Sequence, residues 1–299
     1  MRPRAAIALS LLVGSGLFAE AQGQTADGAA FLKVGMGGRA LAMGGAFVAV
    51  ADEAGAGYWN PAGLDLAQHT KMEASYSRLS LARHYDTGAL SQPLGRYGSL
   101  GMGWMRFGVD QIELRTGDTS APDGFGKDDE NAYLVSYSKS FLGFLGVGIT
   151  GKYITQNLLG KHATATGADL GLLLKMTNGW SVGLVTQNID ADLTWPGGHK
   201  DPLPRVTKLG IAYQTFGGKL LVTWDRVSSN QERTEIRFGT EGKVSRTWSL
   251  RGGYGHGEVS LGTGVLAPLP WAATRLDYVF GTDRLGQHPT HRFALAVSL

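Results

Sequence analysis

Apolar and polar positions alternate with a period of two along most of the chain, in runs separated by short turns rich in Gly, Asn and Pro, and this spacing predicts strands. In Thr290–Leu299, Phe293, Leu295, Val297 and Leu299 are apolar, whereas Arg292, Ala294, Ala296 and Ser298 are small or polar. The same split sets Leu276, Tyr278 and Phe280 against Arg275 and Asp277, and Ile236 and Phe238 against Arg237 and Glu241. In Ser99–Phe107 the apolar set is Leu100, Met102 and Trp104, and Gly101 and Gly103 on the other face permit close backbone approach. One face of such strands suits lipid and the other a polar lumen.

Runs of this kind begin near Thr70, His84, Gly98, Asn131, Phe144, Ala163, Gly179, Arg205, Gly218, Thr234, Thr247, Glu258, Thr274 and Thr290. They predict an all-β fold, a transmembrane antiparallel barrel of about 14 strands, an even number as single-chain bacterial barrels require. Connection lengths fit the same picture. Long polar pieces fall on alternate connections, at Val109–Glu130, Leu158–His162, Asp190–Pro204, Ser228–Arg233 and Thr282–Pro289, and tight turns such as Thr177-Asn178-Gly179 and Phe216-Gly217-Gly218 fall on the others. Trp104, Tyr133, Tyr153, Trp180, Tyr213, Trp224, Trp248, Trp271 and Tyr278 are placed for aromatic girdles.

The beginning of the chain follows different rules. Arg2 and Arg4 precede an apolar run, Ala5–Phe18, and an A-x-A site at Ala19-Glu20-Ala21, which predicts a signal peptide over residues 1–21. The apolar run is shorter than the ~20 residues of a membrane-crossing helix. Between this signal and the first strand, Phe31–Leu64 is too glycine-rich for an ordinary helix and too apolar for a linker. It predicts a Gly-rich hatch or plug within residues 22–69, ahead of a barrel over residues 70–299.

The hatch residues have their own physics. Gly35, Gly37, Gly38, Gly44 and Gly45 open backbone angles closed to other residues, and Asn60-Pro61 sets a turn in which Asn bonds locally to backbone. Tyr58, Trp59, Asn60, Pro61, Ala62 and Gly63 are the candidate gate residues. Two roles stand open for them, a gate that yields to a solute or a folding element that leads into the first strand.

Composition narrows the chemistry. The chain has 299 residues, 45 of them Gly, with no Cys, 18% charged residues and a formal charge of +3. No disulfide, thiolate metal site or thiol nucleophile is available, and the small positive charge is spread out, which argues against a nucleic-acid partner. The stretch Gly35-x-Gly37-x-x-Ala40 satisfies a loose dinucleotide fingerprint but has no strand before it and no strand–helix alternation after it. No Gly-x-Ser-x-Gly turn or defensible triad is present, so the chain is expected not to be an enzyme and to need no cofactor. His162, His199, His256, His288 and His291 fall on expected loops without companion ligands, and they are read as solvated, with no metal site.

If the alternation holds, Glu73, Lys152, Asp169, Lys175, Lys208, Arg237, Glu241, Arg251, Asp277 and Arg292 point into the lumen with both signs represented. Neutralising networks are one use of such charges and a permeation path or plug contact is another. Asp169, Asp277, Arg251 and Lys152 are the candidates for the second use.

Phe31-Leu32-Lys33-Val34-Gly35, the run Gly38–Phe47, Ala51-Asp52-Glu53 and Tyr58–Leu64 resemble the N-terminal signature of the PorV/PorQ family, within the wider group of FadL-like outer-membrane barrels. Lys152-Tyr153-Ile154, Asp169-Leu170-Gly171, Gln187-Asn188, Leu203-Pro204, Leu209–Tyr213, Asp225, Leu250–Tyr254 and Leu276-Asp277-Tyr278 continue the resemblance in order. It implies a barrel in the outer membrane of a Gram-negative-type bacterium, in contact with outer-membrane lipid. It also implies work in type IX-type protein secretion or surface export, with secreted proteins or secretion machinery as partners. Likeness to FadL implies the alternative, gated uptake of hydrophobic small molecules.

Overall fold

The computed structural model describes residues 28–66, 69–118, 120–282 and 289–299. The expected signal peptide, residues 22–27 and 67–68 of the expected hatch and His288 lie outside the described residues.

Strands follow the period-two runs: β1 (Lys71–Arg78), β2 (Arg83–Pro93), β3 (Ser99–Leu114), β4 (Gly124–Phe141), β5 (Leu145–Leu158), β6 (Lys161–Lys175) and β7 (Trp180–Ile189). A short ribbon, β8 (Asp192–Thr194) and β9 (Lys200–Pro202), interrupts the series. Then come β10 (Val206–Thr215), β11 (Leu220–Ser229), β12 (Glu235–Lys243), β13 (Trp248–Gly255), β14 (Glu258–Pro268), β15 (Ala273–Gly281) and β16 (Thr290–Ser298). β1–β7 and β10–β16 form a closed antiparallel barrel of 14 strands. Each strand pairs with the next, β7 passes to β10 across the ribbon, and β16 closes on β1 with Lys71 opposite Ser298. Closure leaves no unpaired edge, as a wall in hydrocarbon requires.

Two expected loops are instead strand. β3 and β4 stay paired to Leu114–Gly124, so most of the Val109–Glu130 piece is a projecting hairpin, with a bulge between Val109 and Ile112 where Gln111 takes φ 59°. Ladder hydrogen bonds hold these polar residues in strand without an apolar pattern to announce them. At Leu158–His162 the strands meet in a tight turn, Leu159-Gly160, both at positive φ. The ends of the barrel still differ. Connections at one end are all short, such as Met176–Gly179 and Phe216–Lys219, whereas the other end carries the projecting hairpin, the ribbon and the connection from Thr282 to Pro289. We call these the short-turn and long-loop ends.

The outer face is apolar, with Tyr76, Met102, Val135, Ile149, Leu170, Leu261, Leu276 and Phe293 all exposed. Tyr133, Tyr153, Trp180, Trp248 and Trp271 of the expected girdle are also exposed, while Trp104, Tyr213, Trp224 and Tyr278 are half-buried. No helix among the described residues is long and apolar enough to cross a membrane.

Residues 28–66 lie inside the barrel. Two short helices, α1 (Gly38–Ala42) and α2 (Ala56–Trp59), and two 3-10 turns, Ala30–Val34 and Pro61–Gly63, make a compact core. Phe47, Val48, Met43, Ala42 and Ala46 are fully buried. Trp59 packs edge-on against both Phe47 and Tyr58. A barrel whose strands alternate between lipid and lumen has little apolar interior of its own, and this segment supplies one.

Candidate functional site

The glycine excess has its explanation where the segment meets the wall. A Cβ added at Gly253 would lie 2.2 Å from Gly44 N, at Gly239 2.5 Å from Met43 O, and at Gly183 2.4 Å from Val48 O. At Gly171 it would lie 2.2 Å from Asn60 Oδ1, and at Gly148 2.4 Å from the Pro61 carbonyl carbon. The contact runs through β5, β6, β7, β12 and β13, against backbone at four of these strands and against the Asn60 and Pro61 side chains at β6, at distances no added side chain admits. From the other side, Gly44 and Gly45 take φ 65° and 68°, which a larger residue adopts only with strain.

Polar anchors fix the segment at defined points. Asp225 on β11 accepts from Phe47 N and Val48 N at 2.8 and 3.0 Å. Gln187 Nε2 donates to Tyr58 O at 2.6 Å, and Tyr85 Oη donates to Gly35 O at 2.8 Å. Asp65 accepts from Ser99 Oγ and from Ser140 N and Oγ, and these bonds outweigh the effect of partial burial and hold its carboxyl below the ordinary range.

The structure places the candidate gate residues within this core. Asn60 caps the Pro61–Gly63 turn through Oδ1, which accepts from Ala62 N, while its Nδ2 donates to Val48 O and Leu172 O, so one amide ties the turn to the segment and to β6. Trp59 Nε1 donates to Met36 O, and Tyr58 Oη donates to Leu32 O. Burial pushes the Tyr58 phenol well above its ordinary value. Pro61, Ala62 and Gly63 are buried against β5 and β6.

The four lumen candidates form two buried pairs. Lys152 Nζ lies 2.9 Å from Asp169 Oδ2, and Arg251 Nη1 lies 2.6 Å from Asp277 Oδ1. Asp169 sits at a bulge in the β6–β7 ladder, where its Oδ1 accepts from Asn188 N. The Arg251–Asp277 pair extends into a network that joins wall and segment. Arg39 of α1 bonds Asp52 and Glu53 at 2.6 and 2.9 Å and reaches Glu241 on β12 at 2.7 Å. Arg275 on β15 bonds Glu53 and Asp277, and Arg251 on β13 bonds Glu241. Burial works to raise the Glu53 carboxyl, but the Arg275 and Arg39 guanidiniums overcome it and hold the group well below its ordinary range.

Sequence reasoning passed over three features. Asp225, noted only as a landmark, is the clamp on Phe47 and Val48. Arg39 is the hub of the network, and its only sequence signal is a lone cation inside an apolar Gly/Ala run. His256, expected as a solvated loop histidine, is half-buried in the β13–β14 turn against Glu235 and Arg237, and burial reinforced by the Arg237 guanidinium pushes its imidazole down to about 4.

Two clefts flank the segment. One opens at the long-loop end between Asn188, Ser229, Glu235 and His256, with Tyr58 and Lys208 deeper in, and has a cavity volume of about 50 Å³. The other opens at the short-turn end between Arg39, Asp52, Lys175, Gln214 and Leu221. The Phe47–Trp59 core lies between them. Among the described residues no group of three metal-ligating side chains occurs.

No protein-family model matches this sequence. No curated protein matches it either. The fold has counterparts among solved structures. The toluene transporter TbuX of Ralstonia pickettii superposes with a TM-score of 0.62 at 16% identity, covering 88% of this chain and 98% of that one. The TodX monoaromatic hydrocarbon channel, as its deltaS2S3 mutant, gives 0.59 at 15% identity over 88% and 98%. A FadL homologue of Pseudomonas aeruginosa gives 0.57 at 13% identity over 87% and 96%. The fold is therefore that of the FadL-like outer-membrane barrels.

Proposed function

We propose that this chain is an outer-membrane barrel for uptake of hydrophobic small molecules and that residues 28–66 are its hatch. One observation carries the reading: a barrel of the architecture used by a toluene transporter and a monoaromatic hydrocarbon channel has its lumen filled by a separate segment, with a cleft on either side. In this orientation the long-loop end faces outward. A solute entering the outer cleft meets the segment at Leu32 and Tyr58 and passes only when the segment yields. The protein's task is then selection and passage, with no bond made or broken.

The test is uptake of labelled toluene by cells carrying the protein in their outer membrane. Faster uptake than in cells with an empty vector supports the reading, and an equal rate overturns it. The secretion role implied by the N-terminal signature rests on that signature alone, since no family model or curated relative supports it. Exported proteins co-purifying with the native barrel would revive it.

A further inference from the structure

We propose that the lipid-facing wall carries a binding site for a phosphate of the outer leaflet, the lipid A phosphate of lipopolysaccharide, and that Arg78 on β1 is the residue that grips it. The site lies on the lipid side of the barrel and does not depend on what passes through the lumen. The registers of β15, β16, β1 and β2 set their outward side chains in level rows. Leu276, Leu295 and Ala74 form an apolar row, and Tyr278, Phe293 and Tyr76 form an aromatic row beyond it. One step further toward the long-loop end the row is Phe280, His291, Arg78 and His84. An aromatic girdle marks the edge of the hydrocarbon, so a cation directly beyond it stands at the depth of the lipid phosphates.

Arg78 is exposed, and among the described residues it has no hydrogen-bond or ion-pair partner. Its guanidinium is always charged, and its planar fork matches two oxygens of one phosphate. His291 stands opposite Arg78 on β16, and its Nδ1 lies 2.7 Å from Tyr278 Oη. With the phenol donating, the imidazole proton is on Nε2, so even a neutral ring offers the phosphate a donor. The acids of this region lie on the other side of Arg78. Asp86 stands opposite Arg106 of β3, and Asp110 is 3.7 Å from His84 Nδ1. The open approach to the guanidinium is therefore from β16, past Phe293 and Tyr76, whose exposed rings give an acyl chain a surface to lie on. With the long-loop end outward, this row faces the leaflet that presents lipopolysaccharide, and phospholipids of the inner leaflet do not reach it. One guanidinium backed by one imidazole matches one phosphate of lipid A, with the acyl chains running down the aromatic and apolar rows.

The experiment uses the folded full barrel in detergent at neutral pH, with occupancy read by native mass spectrometry. The probes are lipid A, the same lipid stripped of its phosphates, and phosphatidylglycerol. Lipid A is expected to bind about tenfold more tightly than its dephosphorylated form, as hydrogen bonds to a charged group allow. Arg78→Gln is expected to erase that preference and Arg78→Lys to keep part of it. Lys243→Gln, which removes an exposed cation at the short-turn end, is expected to leave it intact. Heat-modifiable gel migration checks that each variant is folded. Should Arg78→Gln not fold, His291→Gln and Arg78→Lys, each expected to weaken the preference, decide the matter. A preference that survives Arg78→Gln unchanged, or no preference in the unaltered protein, overturns the site. Phosphatidylglycerol binding as tightly as lipid A overturns the assignment to lipid A. Toluene uptake remains the separate test of the lumen.

Discussion

The two halves of the lumen are built to opposite specifications. Toward the short-turn end, segment and wall are joined by a network of ion pairs: Arg39, Asp52, Glu53, Glu241, Arg251, Arg275 and Asp277 form one connected set. Lys71, at the start of β1, adds a bond to the Asp52 carbonyl. Toward the long-loop end the segment is held by separate hydrogen bonds, aromatic packing, a partly exposed Lys33–Glu232 ion pair at 2.8 Å and a Lys208 ammonium that stands over the Tyr58 and Trp59 rings. Burying charge is tolerable only where geometry and partners are complete, so the lower network behaves as a fixed anchor. The difference assigns anchoring to one half and, on the uptake reading, the meeting with solute to the other.

The largest way to break this arrangement is to deny the segment its seat. Gly253→Val places side-chain atoms where Gly44 N and the Met43 carbonyl carbon lie, each 2.2 Å from the new Cβ. Because the clash is with backbone on both sides, no rotamer relieves it, and the heat-modifiable barrel band is expected to disappear or the lumen to lose its plug. Gly242→Ala on β12, where an added Cβ meets nothing within 4 Å, is the matched control and assembles normally. An intact, non-conducting barrel from Gly253→Val would contradict the close-seat account.

Removing one member of the anchor comes next. Arg275→Met leaves Glu53 and Asp277 short of a partner in a buried site, and breaking such a pair costs about 3–5 kcal/mol. The unfolding midpoint in urea, followed by gel mobility, should fall accordingly, whereas replacement of a residue in the outer cleft should leave it nearly unchanged. The same network sets a pH signature. The Glu53 carboxyl is held below its unfolded value of 4.5, so its contribution is complete above that value and is lost as pH falls through the folded value. His256 acts in the same direction over a higher window: the folded imidazole near 4 resists protonation that the unfolded chain accepts near 6.5, so stability falls as pH drops from 6.5 to 4. Unfolding midpoints measured from pH 7 to pH 3 should decline in both windows. Glu53→Gln should make the lower one shallower while leaving the upper, since Asp65 and Glu235 are also held below their ordinary range.

Much of this organisation was legible in the chain, for a physical reason. Period-two alternation is forced wherever a strand has lipid on one side and lumen on the other, so thirteen of the fourteen strand starts are found within a few residues, from Lys71 to Thr290. β4 is the exception. It begins at Gly124, well before the expected Asn131, because the projecting β3–β4 hairpin is held by its ladder and has no lipid to pattern it. Inward placement of Lys152, Asp169, Arg251 and Asp277 follows from the same alternation, but their pairing does not, since register across strands distant in sequence is not written in any one of them. The segment inside is harder still. Its glycines announce close approach without saying to what, and Asp225 reads as one more alternating polar residue until its carboxylate is seen beneath Phe47 and Val48.

Between anchor and recognition surface lies Asn60, and its loss is expected to be intermediate. Asn60→Ala removes the acceptor of Ala62 N and the donor to Val48 O and Leu172 O, in a site with no exposure. Leaving such groups unsatisfied costs about 1–3 kcal/mol, enough to lower the midpoint without preventing assembly. If Asn60 serves only to seat the turn, solute uptake should be unchanged in the assembled variant. If the turn also holds the hatch shut, uptake should rise as stability falls.

The smallest effect belongs to an ion pair of nearly the same length as those in the anchor. Arg106 on β3 and Asp129 on β4 meet at 3.2 Å, joined by paired N–H bonds, yet both side chains are 42% exposed. Water already solvates each charge, salt screens their attraction, and holding two mobile side chains together offsets part of what remains. Arg106→Gln is therefore expected to shift the urea midpoint by less than about 1 kcal/mol, and less again at high salt. A cost approaching that of Arg275→Met would mean that charge pairing alone stabilises this barrel. A small one assigns the stability of the short-turn half to burial and to the completeness of its network, which the outer cleft does not share.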